Sequence, residues 1–374
     1  MTTNRMYLDS YAMIGKRGPK DVEACYTTDD LLAEMEWCGI HGAFVAHSVA
    51  KEYDPMYGNR MLTHELKKSS RLFGVWAVMP HQTGEMPKPK DLVSQMRDHG
   101  IRVVKMYPRA HRYPFTSDFC GELLRELERS EILLMVEGGH LYNPDILEAS
   151  NQVLLSDLDA ILTQFPNLNV LLQGSRWEST RFTYPLMMKH KILHLELSNH
   201  QGNRAMEILT EWYGAERIVF GTGALEKSPG AAKAFVDYCT LDDTEKQKIA
   251  AGNIMRLTKL QEHPPPLKQK KTRDSILVLA KEGKPLRNIT VIDSHAHITH
   301  DEAGGVGFIH LPAGDAASMV ERAKLMGINA LCISGFLSIW ADHEEGNKIV
   351  WEAMKRFPDI YHGYATLQPQ YVKD

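Results

Sequence analysis

The sequence predicts an α/β chain: a closed (β/α)8 barrel over residues 1–258, a linker over 259–289, and the opening part of a second barrel of the same type over 290–374. Three observations predict it. Short β-branched runs alternate with amphipathic helical runs, a proline- and lysine-rich stretch interrupts that alternation, and the first segment of the chain returns beyond the interruption.

The expected strands are Tyr7–Ala12, Gly42–Ala46, Leu72–Val78, Arg102–Met106, Leu133–Glu137, Val170–Gln173, His194–Ser198 and Ile218–Phe220, with helices such as Asp29–Cys38, Phe119–Arg129 and Asp157–Phe165 between them. Strands separated by helices run parallel through right-handed crossovers, and eight of them over roughly 250 residues is the size of a closed barrel. A doubly wound sheet is the alternative topology, because both folds bury parallel strands on both faces.

The interruption begins with Pro264-Pro265-Pro266, which cannot continue a helix, and Lys268, Lys270 and Lys271 keep the following residues solvated. A short helix is expected at Ser275–Lys281, before Gly283-Lys284-Pro285. The basic run suits a linker better than a nucleic-acid patch, since the whole chain carries a net charge of -4.

The returning segment is the most informative feature. Leu8-Asp9-Ser10-Tyr11-Ala12-Met13-Ile14 reappears as Ile292-Asp293-Ser294-His295-Ala296-His297-Ile298. The flanks continue the match: Cys38-Gly39-Ile40 with Met326-Gly327-Ile328, Gly58-Asn59 with Gly346-Asn347, and Phe73-Gly74-Val75-Trp76-Ala77 with His362-Gly363-Tyr364-Ala365-Thr366.

With 43% hydrophobic and 24% charged residues, the composition is that of a globular protein with a small-molecule partner, and it excludes a general attraction for nucleic acid or an anionic membrane. No apolar h-region opens the chain and no long apolar run follows, so a cytoplasmic, membrane-free protein is expected. Cys25, Cys38, Cys120, Cys239 and Cys332 form no CxxC pair and are expected as free thiols.

His295 and His297 lie two apart at the end of an apolar strand. Both imidazoles therefore point the same way and can bind one divalent cation at a barrel mouth. In the first unit, charged groups fall near strand ends: Lys105, Arg109, His111, Arg112, His140 and Arg176, together with the carboxylate Glu137. Glu137 and His140 form a candidate acid–base pair, and Lys105, Arg109 and Arg176 are candidate binders of a small carboxylate.

On these motifs residues 290–374 resemble the opening of the amidohydrolase-related family, which holds metal-dependent hydrolases and decarboxylases on (β/α)8 barrels. Residues 6–258 resemble the same family throughout, including the closing Gly252-Asn253-Ile254-Met255-Arg256-Leu257. The resemblance implies a tandem duplication with a degenerate first copy and a truncated second. Where the family has metal ligands the first unit has Tyr11, Met13, Glu137, Gln173 and Gly223, so it implies no metal there. In the second it implies zinc or manganese at His295 and His297, provided further ligands are supplied. The implied function is hydrolysis or decarboxylation of a small organic acid or amide, sited in the second unit. A non-catalytic scaffold barrel and a metal-independent, lactonase-like first barrel are the alternatives. Association is expected either as a homo-oligomer or with a chain that completes the second barrel.

Overall fold

Inward and outward side chains alternate along each strand of the first unit, and this alternation builds two concentric layers. The computed structural model describes residues 5–18, 25–138, 155–175, 179–200, 202–268, 274–307 and 309–371. Its first eight strands are β1 (Leu8–Ile14), β2 (Gly42–His47), β3 (Leu72–Val78), β4 (Val103–Met106), β5 (Leu133–Glu137), β6 (Val170–Gln173), β7 (Leu193–Glu196) and β8 (Ile218–Val219). They form one sheet in sequential order, with every neighbouring pair parallel.

The residues after β8 return to β1. Ser10 N–H donates to the Phe220 carbonyl at 3.1 Å, Gly223 N–H to Tyr11 at 2.8 Å, and Met13 N–H to Ala224 at 2.6 Å. The result is a nearly closed barrel. A doubly wound sheet would reverse its strand order partway, and this one does not.

Leu8, Phe44, Val75, Val103, Met135, Leu171 and Val219 fill the interior toward the strand starts, where Ile254 and Leu257 of the helix Asn253–Thr258 plug the end. Residues one step along each strand, among them Val45, Trp76, Val104, Leu134 and Leu172, pack outward against the helices. The inward row then turns polar at the carboxyl ends, with Lys105 above Val103, Glu137 above Met135 and Gln173 above Leu171.

After the barrel, the helix Ser275–Lys281 precedes a three-stranded parallel sheet in the order β13-β12-β9, made of β9 (Ile292–Ile298), β12 (Ala330–Gly335) and β13 (Tyr361–Gly363). A small antiparallel hairpin, β10 (Gly305–Val306) with β11 (Ile309–His310), lies between β9 and β12.

Local geometry is shared by the start of the barrel and this sheet. The β1 register shifts between Asp9 and Ala12, where Tyr11 N–H bonds to Asp9 Oδ1 at 2.9 Å. The register of β9 shifts between Asp293 and Ala296, where His295 N–H bonds to Asp293 Oδ1 at 3.0 Å. Helices Thr28–Cys38 and Ala316–Met326 end on Gly39 and Gly327, at φ 82° and 81°, a left-handed turn that favours glycine. Asn59 pairs both ways with the Ala77 backbone at 2.8 Å, as Asn347 does with Thr366 at 2.9 and 3.0 Å.

Gly58 and Gly346 each let two helices touch. A Cβ on Gly58 would sit 2.1 Å from Ala50 N, and one on Gly346 would sit 2.1 Å from Ser338 N. Backbone cannot yield as a side-chain tip can, so Gly346→Ala should cost about 1–3 kcal/mol through overpacking. Hydrogen exchange should then accelerate in β9, β12 and β13 but not in β4–β6; unchanged protection across the three-stranded sheet would contradict the tight contact.

Arg322 fastens this sheet to the barrel. Its guanidinium donates to Asn203 Oδ1 at 3.0 Å, the Tyr238 carbonyl at 2.6 Å and Glu207 Oε1 at 3.1 Å. Arg181 reaches the backbone of the hairpin, donating to Val306 at 3.0 Å and Ile309 at 3.2 Å. Among the described residues no helix is long and apolar enough to cross a membrane.

Candidate functional site

The mouth of the barrel is built from the last inward side chain of each strand. Glu137, at the end of β5, accepts from Tyr11 Oη at 2.6 Å, from Lys51 Nζ at 3.1 Å, and lies 4.0 Å from Lys105 Nζ. Lys105 is buried between two rings, 4.1 Å from the centroid of Tyr11 and 5.1 Å from that of Tyr107. Burial pushes the Lys105 amine down to about 8, with Lys51 adding to the fall and Glu137 opposing it. For Glu137, burial alone would raise the carboxyl, but Lys105, Lys51 and the Tyr11 hydroxyl outweigh it and hold it down at about 2. The carboxylate is therefore ionised, and two cations share it.

Two further buried acids belong to the same barrel. Asp9 accepts from the backbone N–H of Tyr11 and of Thr222, both at 2.9 Å, and from the Thr222 hydroxyl, which ties β1 to the end of β8. Glu196 accepts from Gly174 N–H at 3.0 Å and from the Ser198 hydroxyl at 3.0 Å. Burial raises both above the usual carboxylate range, Asp9 to about 7. Tyr107 Oη and Gln173 Oε1 are buried with no hydrogen-bond partner among the described residues, and each is a polar atom that a bound molecule or water would satisfy.

These residues do not fit a divalent cation. Tyr11 spends its hydroxyl proton on Glu137, Gln173 donates to the Ser10 carbonyl at 2.6 Å, and Met13 packs against Ala50, Ala77 and Tyr107. Gly223 offers no side chain, and Lys51 and Lys105 would repel a cation from the remaining carboxylate. Among the described residues, no group of three or more His, Cys, Asp or Glu could hold a metal.

The sheet at 290–371 differs. His295 Nε2 and His297 Nε2 lie 3.1 Å apart, close to the separation of about 3.3 Å that two imidazoles need on one tetrahedral cation. His297 Nδ1 hydrogen-bonds Ser334 Oγ at 2.9 Å, which can leave Nε2 with its lone pair. The pair fits half of a metal shell.

Of the residues expected at a site, the structure brings Lys105 to Glu137 and His295 to His297. Arg109 is exposed in the turn after β4, while His140 and Arg176 lie outside the described residues. The second cation on Glu137 is instead Lys51, from the helix Ser48–Glu52 after β2. Sequence reasoning missed Lys51, Tyr107 and Glu196. For Glu196 a signal existed, since alternation along His194-Leu195-Glu196 places it inward. Lys51 follows its strand by several residues and carried no such signal.

No family model and no curated protein matches the sequence. Solved structures do match. The 5-carboxyvanillate decarboxylase of Novosphingobium aromaticivorans, complexed with manganese and 4-hydroxy-3-methoxy-5-nitrobenzoic acid, aligns at TM-score 0.56 and 12% identity over 70% of this chain and 98% of that one. The 5-carboxyvanillate decarboxylase of Sphingomonas paucimobilis aligns at TM-score 0.54 and 11% identity over 68% and 99%. A 2,6-dihydroxybenzoate decarboxylase complexed with 2,6-dihydroxybenzoate aligns at TM-score 0.51 and 16% identity over 69% and 99%. At these identities the likeness establishes the (β/α)8 fold.

Proposed function

We propose that this chain is an amidohydrolase-like protein with divided roles, arranged as units 1–258, 259–289 and 290–374. The last unit contributes His295 and His297 to a zinc or manganese centre that hydrolyses or decarboxylates a small organic acid or amide. The observation that carries this is the convergence of the two Nε2 atoms at 3.1 Å at the carboxyl end of β9, with Ser334 orienting one ring. The register shift shared by β1 and β9, and the matching asparagine clamps, support descent of the two units from one ancestor. The fold neighbours complexed with manganese or with aromatic acids support the reaction class.

A bound cation would supply an acidified water or polarise a substrate oxygen. The chain's own residues aim it: Asp293 holds the bulge that turns both histidines to one side, and Ser334 orients His297. The remaining ligands would come from elsewhere, either a partner chain or another copy. Calorimetric titration of the intact protein with zinc should show binding that is lost in His295→Ala and weakened at least about tenfold in Ser334→Ala, while Glu137→Gln leaves it unchanged. Binding that survives His295→Ala, or that depends on Glu137, would overturn the proposal.

A second reading is favoured by the mouth of the barrel. Lys51 and Lys105 share one carboxylate there, and Tyr107 Oη and Gln173 Oε1 have no hydrogen-bond partner among the described residues. This supports a metal-free pocket for a small carboxylate, either as a lactonase-like site or as the remnant of one on a scaffold barrel. There Lys105 would contact the substrate carboxylate, and Glu137 would hold Lys105 and Lys51 in place for it.

A further inference from the structure

At the opposite end of the barrel, where β6, β7 and β8 begin, the helices Thr180–Lys189 and Ala205–Tyr213 leave a groove of about 890 Å³ between them. That is room for a small molecule. Its wall is apolar and aromatic. Trp212 is 52% exposed, Met188 is 76% exposed, and Tyr184 meets the indole edge-on at 5.7 Å and 87°.

Its floor is cationic. Arg217 is 8% exposed, and its Nε and Nη2 donate only to backbone carbonyls, those of Leu193, Met187 and His190, at 2.7, 3.1 and 2.7 Å. No carboxylate pairs with this buried guanidinium among the described residues, and Nη1 makes no hydrogen bond there. Lys191 and Arg256 bring two more positive charges to the same lining, where Glu216 is the one carboxylate among the described residues. His194, also in the lining, is held neutral: burial first, then Arg217 and Arg256, push its imidazole down to about 3. Glu216 offsets part of the Arg217 charge, but three cations line the groove against that carboxylate, and an anion bound there would compensate the excess.

We propose that this groove is a second binding site, separate from the barrel mouth, for a small molecule that joins a planar aromatic ring to an anionic group. The ring would lie on Trp212 and beside Met188, and the anion would face Arg217 and Lys191. Each half matches a feature of the groove: a large aromatic side chain exposed at it, and an excess of positive charge in its lining from Arg217, Lys191 and Arg256.

The test uses 2-naphthoate with the intact protein, followed by calorimetry, and with Lys51→Gln to exclude the barrel mouth. Saturable binding should persist in Lys51→Gln. It should weaken at least about tenfold in Trp212→Ala and in Lys191→Gln, both exposed positions that leave the core untouched, and recover in Trp212→Phe. 2-Naphthol and cyclohexanecarboxylate, each lacking one half of the ligand, should bind at least about tenfold more weakly. Adenosine monophosphate binding with the same residue dependence would place the anion as a phosphate within the proposed class. Binding unaffected by both Trp212→Ala and Lys191→Gln, binding lost in Lys51→Gln, or no binding by either anion up to about 10 mM would overturn the assignment. The first two results leave the metal proposal at His295 and His297 intact, because that rests on a separate titration.

Discussion

Replacing Arg217 by methionine is expected to lower the stability of the barrel by about 3–5 kcal/mol, the scale for breaking a buried charged hydrogen-bond network. The guanidinium stands just before β8 and holds the last-turn carbonyl of the helix Thr180–Lys189, the turn at His190, and the first residue of β7. Methionine keeps much of the volume but strands three acceptors, two of them at a helix carboxyl end that favours a cation. Lysine should recover little, because one ammonium on a flexible stem does not reproduce the planar fork. Denaturant unfolding of the parent, Arg217→Met and Arg217→Lys decides the matter. A loss below about 1 kcal/mol in the methionine variant would show that the carbonyls are satisfied some other way.

Asp9→Asn is expected to change the pH dependence of stability by about 4 kcal/mol between pH 4 and pH 8. Burial lifts the Asp9 carboxyl to about 7, with Glu196 adding to the rise and the Thr222 and Tyr11 donors opposing it. A free aspartate titrates near 3.9, so the difference is about three pH units at about 1.4 kcal/mol each. The folded pKa is the higher one. Its stabilisation is therefore fully present below about pH 4 and is lost as pH rises through 7. Asparagine, which does not ionise, should trail the parent in acid and gain on it as pH rises from about 4 to about 7. Parallel stability curves for the two would mean that Asp9 is ionised throughout, held by its three donors.

Both effects arise at positions whose residue type was visible and whose surroundings were not. Arg217 ends the turn Ala215–Arg217 just before β8, and nothing in its local sequence sets it apart from an ordinary charge at a strand start. Only the arrival of Met187, His190 and Leu193 around it makes it structural. Asp9 could be picked out because Asp293 repeats it, yet its burial under Glu196 and Thr222 depends on strands that lie some 200 residues away in the chain. The pairing of Lys105 with Glu137 was half legible: both end strands, and inward alternation placed them in one layer. The second partner, Lys51, came from a helix whose direction no local pattern specified.

The sequence by itself determined the eight-fold alternation of strand and helix, the inward row that turns polar at strand ends, and the paired histidines at 295 and 297. Each of these follows from short-range periodicity, two residues on a strand and 3.6 on a helix. The tertiary structure alone decided that the sheet closes rather than opens, through backbone bonds from Ser10 and Met13 to Phe220 and Ala224. It also decided that Tyr11 and Gln173 spend their hydrogen bonds on Glu137 and Ser10, and that Arg217 gives its own to three backbone carbonyls. Those outcomes depend on which groups meet across hundreds of residues, and burial there sets the cost of every unpaired proton and charge.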